Sequence, residues 1–406
     1  MLTLRLAWRN LWRNRRRTLL TVAALTLNTA GCIVTYGLMV GVLDKMQRNA
    51  TRLAGGDLQI HAPDYRQNRS LHRFLADPDA ILADARRAGL AAAPRAYGQG
   101  LLARDGRSAG AWFWGVDPAA EREAFELPGK LAAGTYLGPA AAAEVVLGRR
   151  LAQALRAEVG DDVVAVVQAA DGSLGNERFR VAGIFASVGD GIDRQAAVLH
   201  GGDFGRLFAA EGRVHEIALH GRSRPAPSEV AAVLRAAHPG AEVLAWREIW
   251  PHFAGFLEYM DRVAGLYAFI FALVAGLGIV STMLMATYER LWEFGVLKAL
   301  GASPWRIVRD VAVESMLLAL LATLAGLAAG AGVLRILQAR GIDLSRFFQE
   351  TLSFSGVAFD PVLRPALAWD VLWPPAAVMW AAALAAALYP AVQAARTRPA
   401  RAMAPA

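Results

Sequence analysis

The run TLLTVAALTLNTAGCIVTYGLMVGVL, Thr18–Leu43, carries no charged residue. A helix of about 20 apolar residues is long enough to cross a bilayer. A core helix of a soluble protein shows charge on its outer face, and this run shows none on any face. Ala264–Met285, Ser315–Leu334 and Val371–Val392 share the property. The pattern predicts four transmembrane helices, over 18–43, 264–285, 311–334 and 371–392.

The rest of the composition agrees. Of 406 residues, 55% are hydrophobic and only 19% are charged, against about 25% charged in an ordinary soluble chain. So much apolar surface excludes a disordered chain. Cys32 is the single cysteine, which excludes a disulfide within the chain. Thr29-Ala30-Gly31-Cys32 partly resembles a lipidation box. Thr29 replaces the expected apolar residue, however, and uncharged sequence continues to Leu43, so the run reads as an uncleaved signal anchor.

The net charge of +8 suggests a nucleic-acid partner until the charges are located. Arg5, Arg9, Arg13, Arg15, Arg16 and Arg17 precede the first run with no acid among them. Arg290, Lys298, Arg306 and Arg309 face Glu289, Glu293 and Asp310 between the second and third runs, and Arg396, Arg398 and Arg401 follow the fourth. Basic residues beside the ends of spans set topology. This reading places both termini and the 286–310 segment in the cytoplasm, and it removes the support for nucleic acid.

The layout is lopsided. A basic amphipathic N-terminus (1–17) leads into the first span. Residues 44–263 form a large extracytoplasmic domain, 335–370 a short outside loop, and 393–406 a cytoplasmic tail. In the large domain, Gly55–His61 reads as a turn into a strand, and Val163–Val167 and Phe179–Phe185 read as strands about a polar connection. Asp77–Ala88, Leu147–Val159 and Ser228–Ala237 read as helices, and Ala241–Ala245 as a short strand. The mixture predicts an α+β domain. Trp112-Phe113-Trp114 reads as part of a buried strand rather than an exposed contact patch.

Chemistry is hard to find. All seven histidines lie in the outside domain without HExxH or clustered His/Cys spacing; His61, His200, His215, His220, His238 and His252 read as surface or core residues. No GxxxxGK[ST] phosphate loop occurs, so no P-loop nucleotide site is expected, and no Ser is placed with a recognisable base motif. A membrane enzyme is the weakest reading.

One segment says more. Tyr288-Glu289-Arg290-Leu291-Trp292-Glu293-Phe294-Gly295-Val296-Leu297-Lys298-Ala299-Leu300-Gly301-Ala302-Ser303 is a short amphipathic helix beside the membrane. Gly301 suits its C-terminal cap and Pro304 a restart. It closely resembles the coupling segment of the MacB/FtsX/LolC–LolE permeases, ER-x-x-E-x-G-x-L-[KR]-A-[LI]-G-A. Arg9–Thr21 resembles that family's N-terminal motif, Glu314–Leu318 the start of its third span, and Tyr389–Ala391, Ala394–Arg396 and Pro399–Ala400 its closing motif. Glu144–Gly148, Val159–Asp161 and Phe179–Phe185 resemble its periplasmic pattern. The likeness covers nearly the whole chain.

The resemblance implies a non-catalytic ABC transporter permease of the bacterial inner membrane. Such a permease works as a dimer, with a second copy or a paralogue, and is driven by two ATPase subunits that bind ATP and Mg. Within the family, Gly56–Tyr65 is most similar to LolC/LolE, which implies lipoproteins or their carrier as periplasmic partners. The Val167–Arg178 connection is shorter than the LolC hook. FtsX-like control of a cell-wall hydrolase and MacB-like efflux are the alternatives.

Candidate site residues follow. Glu289, Arg290, Leu291, Glu293, Phe294, Gly295, Leu297, Lys298 and Gly301 would dock the ATPase, with Leu291, Phe294 and Leu297 as apolar anchors. Gly37 and Gly41, and Gly326 and Gly330, have small-xxx-small spacing and would pack helices, the first pair between two permease copies. Glu314 lies at the edge of the third span and is expected to pair with Arg15, Arg16 or Arg17.

Overall fold

The computed structural model describes residues 2–221, 227–343, 353–354, 357–358 and 362–396. The chain forms two compact units, one from residues 1–43, 257–344 and 362–406, the other from 44–256 and 345–361.

In the first unit the four uncharged runs lie in helices Arg15–Ala50, Pro251–Glu289, Pro304–Arg340 and Trp369–Arg396. All four are long and apolar enough to cross a membrane. Each outruns its uncharged segment, because charge limits where a helix meets lipid but not where its backbone bonds stop. The second begins at Pro251, inside the segment read from sequence as the outside domain. Leu2–Leu11 is a separate short helix, and the buried Thr18 hydroxyl donates to Leu11 O at 2.5 Å across the bend.

The helices pack through small side chains. Ala275, Ala319, Ala322, Ala383 and Ala387 join Leu25, Ile279, Met283 and Met379 in one buried cluster. Lipid gives no hydrophobic reward for helix association, so close approach and polar contacts carry it. Asn28 Nδ2 donates to Phe271 O at 3.0 Å. A Cβ at Gly326 would lie 2.6 Å from Thr29 Cβ, and one at Gly330 3.0 Å from Ile33, so both glycines seat the third long helix on the first. Gly37 and Gly41 depart from expectation. A Cβ on Gly37 would meet Leu334, one on Gly41 the backbone of Arg364–Ala366, and Ala366 N donates to Gly37 O at 2.9 Å. The chain covers these two glycines itself rather than presenting them to a second copy, because its returning segment needs the same close approach.

The second unit is an α+β domain built on a ten-stranded sheet. The strands are β1 (Leu58–His61), β2 (Leu90–Arg104), β3 (Arg107–Val116), β4 (Leu131–Gly134), β5 (Glu144–Leu147), β6 (Asp162–Gln168), β7 (Leu174–Phe185), β8 (Ala196–His200), β9 (Glu216–Gly221) and β10 (Glu242–Ala245). They run in the order β10-β1-β9-β2-β3-β8-β5-β7-β4, with β6 bridging β2 and β7. Pairs β3–β8 and β5–β7 are parallel. Asp105 and Gly106 both take positive φ, 49° and 75°, the two-residue turn whose twist suits a hairpin, and they close β2 onto β3. Phe113 and Trp114 are buried on β3, as the strand reading expects.

Helix Pro78–Arg87 begins at Asp77, whose carboxylate accepts from Ala80 N at 3.1 Å. It packs Ile81 and Ala85 with Val230 and Leu234 of helix Pro227–Ala237 over β1 and β9. One expectation fails. Leu147–Val159 is not one helix: β5 ends at Leu147 and the helix spans only Arg149–Leu155. Val145 and Leu147 are fully buried between β7 and β8, and sheet pairing outweighs a helical pattern there. The β6–β7 hairpin pairs Gln168 with Leu174, which leaves a short turn at its tip.

Candidate functional site

The coupling segment folds as helix Leu291–Ala299 with Arg290 at its N-cap. At the other end Gly301 takes φ 91°. Gly301 N donates to Lys298 O and Ala302 N to Leu297 O, both at 3.0 Å, a Schellman closure that favours glycine at this position. Ser303 and Pro304 then start the third long helix.

A chain of ion pairs fixes this helix to the rest of its unit. Arg290 Nη1 lies 2.8 Å from Glu314 Oε2, and Arg290 Nε lies 3.1 Å from Glu293. Arg13 reaches Glu293 at 2.6 Å and Arg17 reaches Glu289 at 2.5 Å. The Glu314 side chain is only 7% exposed. Glu314 is therefore paired as the sequence suggested, but with Arg290 rather than with Arg15, Arg16 or Arg17. Arg15 and Arg16 are exposed, and Arg17 is taken by Glu289. Partial burial alone would raise the Glu293 carboxyl, but hydrogen bonds from Arg13 and Arg290 outweigh it and hold the group below the usual carboxylate range. Arg13 was not singled out from sequence. The only available signal is its place among the basic residues that face an acidic coupling helix.

The apolar residues of the segment divide. Phe294 is buried with Ile307, Val311, Ala391 and Ala394, and the Arg290 guanidinium lies 5.2 Å from its ring. Gly295 is buried beside it, and the Lys298 ammonium donates to Ala395 O. Phe294 is thus an internal anchor and not one offered to a partner. Its neighbours from the third and fourth long helices are close only in the fold. Leu291 is half-buried and Leu297 is exposed. Trp292, Leu300 and Trp305 are 64%, 80% and 74% exposed. Large apolar side chains are therefore exposed together in one short stretch beside the spans.

The outside domain holds a second polar cluster that sequence spacing did not reveal. Arg95, 2% exposed, binds Glu121 through Nε and Nη2 at 2.5 and 3.0 Å and Glu216 through Nη1 at 3.2 Å. Tyr97 donates to Glu216 at 2.8 Å, and His61 Nε2 lies 3.1 Å from its other oxygen. Burial alone would raise the Glu216 carboxyl. His61, Arg95 and Tyr97 outweigh it and bring the group down to about 2. Strands β1, β2 and β9 and the helix Pro118–Ala124 bring these residues together from far apart in sequence. Among the described residues no group of three or more His, Cys, Asp or Glu is placed to hold a metal ion.

Four long apolar helices, a capped amphipathic helix held by ion pairs and an outside sheet domain define a polytopic membrane protein of the permease class. Residues 18–237 match the MacB-like periplasmic core domain and residues 265–399 the FtsX-like permease C-terminal domain. The chain belongs to the MacB/FtsX family of ABC transporter permeases. It is 26% identical over 329 residues to the lipoprotein-releasing system transmembrane protein LolC of Neisseria meningitidis, covering 77% of this chain and 76% of that one. The LolC of Xylella fastidiosa is 25% identical over 395 residues, 94% of this chain and 92% of its own. The pyoverdine export ATP-binding/permease protein PvdT of Pseudomonas fluorescens is 27% identical over 344 residues, and the chain spans 50% of its length.

Proposed function

We propose that this permease works with a separate ATPase, which binds ATP and Mg, to release lipoproteins from the outer leaflet of a bacterial inner membrane. The observation that carries the reading is the match to LolC along nearly the full length of both chains. Two copies, or one copy and a paralogue, would face two ATPase subunits, with both termini in the cytoplasm. The arginines before the first span and after the fourth support that orientation. The exposed Trp292, Leu297, Leu300 and Trp305 would enter a groove on the ATPase as apolar anchors of a short helix. Glu289 and Lys298 would orient it.

Export of a small molecule is the second reading. The PvdT likeness and the short β6–β7 turn favour it, since such a turn offers a periplasmic carrier little to grasp. One experiment separates the two. The permease is reconstituted in proteoliposomes with its ATPase, a triacylated lipoprotein and a soluble carrier. ATP-dependent appearance of lipoprotein in the soluble fraction is expected. No release, with ATP-driven movement of a small amphiphile instead, selects export. A Trp292→Asp/Leu300→Asp variant should insert and fold normally yet lose ATPase copurification. Undiminished copurification would reject the docking surface.

A further inference from the structure

A cavity of about 230 Å³ lies within the outside domain, beside the Arg95–Glu216 cluster. Its walls are aromatic. Tyr97 and Trp112 stack with ring centres 5.0 Å apart, and Trp114 stands edge-on to them at 5.6 and 5.5 Å. Three residues of the lining each keep a buried polar atom with no hydrogen-bond partner among the described residues: His61 Nδ1, the Tyr65 hydroxyl and Trp114 Nε1. These residues are only 1%, 3% and 5% exposed.

Native proteins seldom leave a buried polar atom unpaired, because the desolvation is uncompensated. Three such atoms on residues of one cavity's lining are a hydrogen-bonding set that a ligand seated there would meet. Trp114 can only donate, and Tyr65 can donate or accept. His61 Nδ1 accepts when Nε2–H is given to Glu216. An alkyl chain would leave all three unmet. Charge narrows the choice further. Glu216 is committed to Arg95, Tyr97 and His61. Arg66 and Arg69 also line the cavity, and the Arg69 guanidinium lies 4.6 Å from the Trp112 ring. A cation is disfavoured and an anion attracted. A dry cavity of about 150 Å³ holds benzene, so this volume admits one or two fused rings with a short substituent.

We propose that this cavity binds a small ring-bearing organic carboxylate. Its ring lies against the Tyr97, Trp112 and Trp114 walls and its carboxylate turns toward Arg66 and Arg69. A polar ring atom pairs with Tyr65 or His61. The site is independent of the cargo proposed above, since it is built entirely inside the outside domain.

The test uses the full chain in lipid nanodiscs, with indole-3-acetate as probe, 3-methylindole as its uncharged counterpart and tryptamine as its cationic one. Calorimetry and ligand-observed NMR measure binding. Indole-3-acetate should bind saturably, with both counterparts at least about tenfold weaker. Tyr65→Phe should weaken indole-3-acetate by about three- to tenfold, the loss of one hydrogen bond. The same variant should not lower the unfolding temperature, because the hydroxyl it removes has no partner among the described residues. No saturable binding by indole-3-acetate, equal binding of tryptamine, or unweakened binding by Tyr65→Phe would each overturn the proposal and leave the cavity to ordered water.

Discussion

Arg290 and Glu314 form a largely buried ion pair, 2.8 Å between Nη1 and Oε2. The same guanidinium, at the N-cap of the coupling helix, also holds Glu293. One cation therefore ties the coupling helix to the third long helix. Arg13 and Arg17 bind the same short region from the N-terminal side.

Removing one partner of a buried pair is costlier than removing both, because a charge is left uncompensated. Arg290→Met should lower stability by about 3 kcal/mol, the lower end of the range for such losses, since Arg290 keeps some solvent contact. Arg290→Met/Glu314→Leu should recover at least half of that loss. Unfolding of the purified permease, arranged as a double-mutant cycle, measures the coupling. A double variant as unstable as the sum of the singles would remove the pair from consideration.

Glycines on the third long helix should split by position. At Gly326 a Cβ would strike Thr29, whereas at Gly332 none of the described residues lies within 4 Å of one. Gly326→Val should destabilise by about 1–3 kcal/mol, as overpacked sites do, and Gly332→Val should leave the unfolding midpoint of the monomeric permease nearly unchanged. Equal sensitivity at the two sites contradicts the packing described.

Phe294 and Trp305 should also part company. Phe294→Ala opens a space in a buried cluster and should cost about 3–5 kcal/mol. Trp305→Ala, at an exposed position, should change stability by no more than about 0.5 kcal/mol while reducing ATPase copurification. Thermal melts and pull-downs on the same preparations give both readings.

His215 supplies a pH test. It is buried, accepting from Tyr97 N at 3.0 Å and placing Nε2 3.2 Å from Leu71 O. Burial lowers its affinity for a proton; the Leu71 carbonyl opposes this and Arg213 adds to it, leaving the group below 6.5. The unfolded chain thus takes the proton first. The contribution of neutral His215 is complete above pH 6.5 and is lost as pH falls below it, by at most about 1.4 kcal/mol per pH unit. Melts from pH 7.5 to 5 should show the decline, and His215→Gln should flatten it.

Sequence made the membrane-spanning plan legible because exclusion of charge over 20 residues has few other causes. Gly301 was legible for a local reason, since a Schellman stop needs one residue at positive φ. What stayed hidden depends on partners distant in sequence. Phe294 looked like any apolar residue of an amphipathic helix until Ile307 and Ala391 met it. For Glu314 the sequence reading offered Arg15, Arg16 and Arg17, and geometry selected Arg290 on the coupling helix instead. The Arg95 cluster and the cavity beside it join residues of β1, β2, β3 and β9 with Tyr65 and Glu121 from short helices, with no shared spacing, so no motif could have announced them. Leu147 misled because its flanking residues suit either a helix or a buried strand.

Four of the six arginines before the first uncharged run form two pairs with different moments of use. During biosynthesis, when no fold yet exists, each counts equally toward the orientation the nascent chain adopts. Once folding is complete, Arg13 and Arg17 are neutralised by Glu293 and Glu289, while Arg15 and Arg16 stay exposed to their surroundings. The first pair serves the finished machine. For the second the decisive event has already passed, so replacing Arg15 and Arg16 together with glutamine should leave the mature permease's behaviour intact and show its defect in newly made chains.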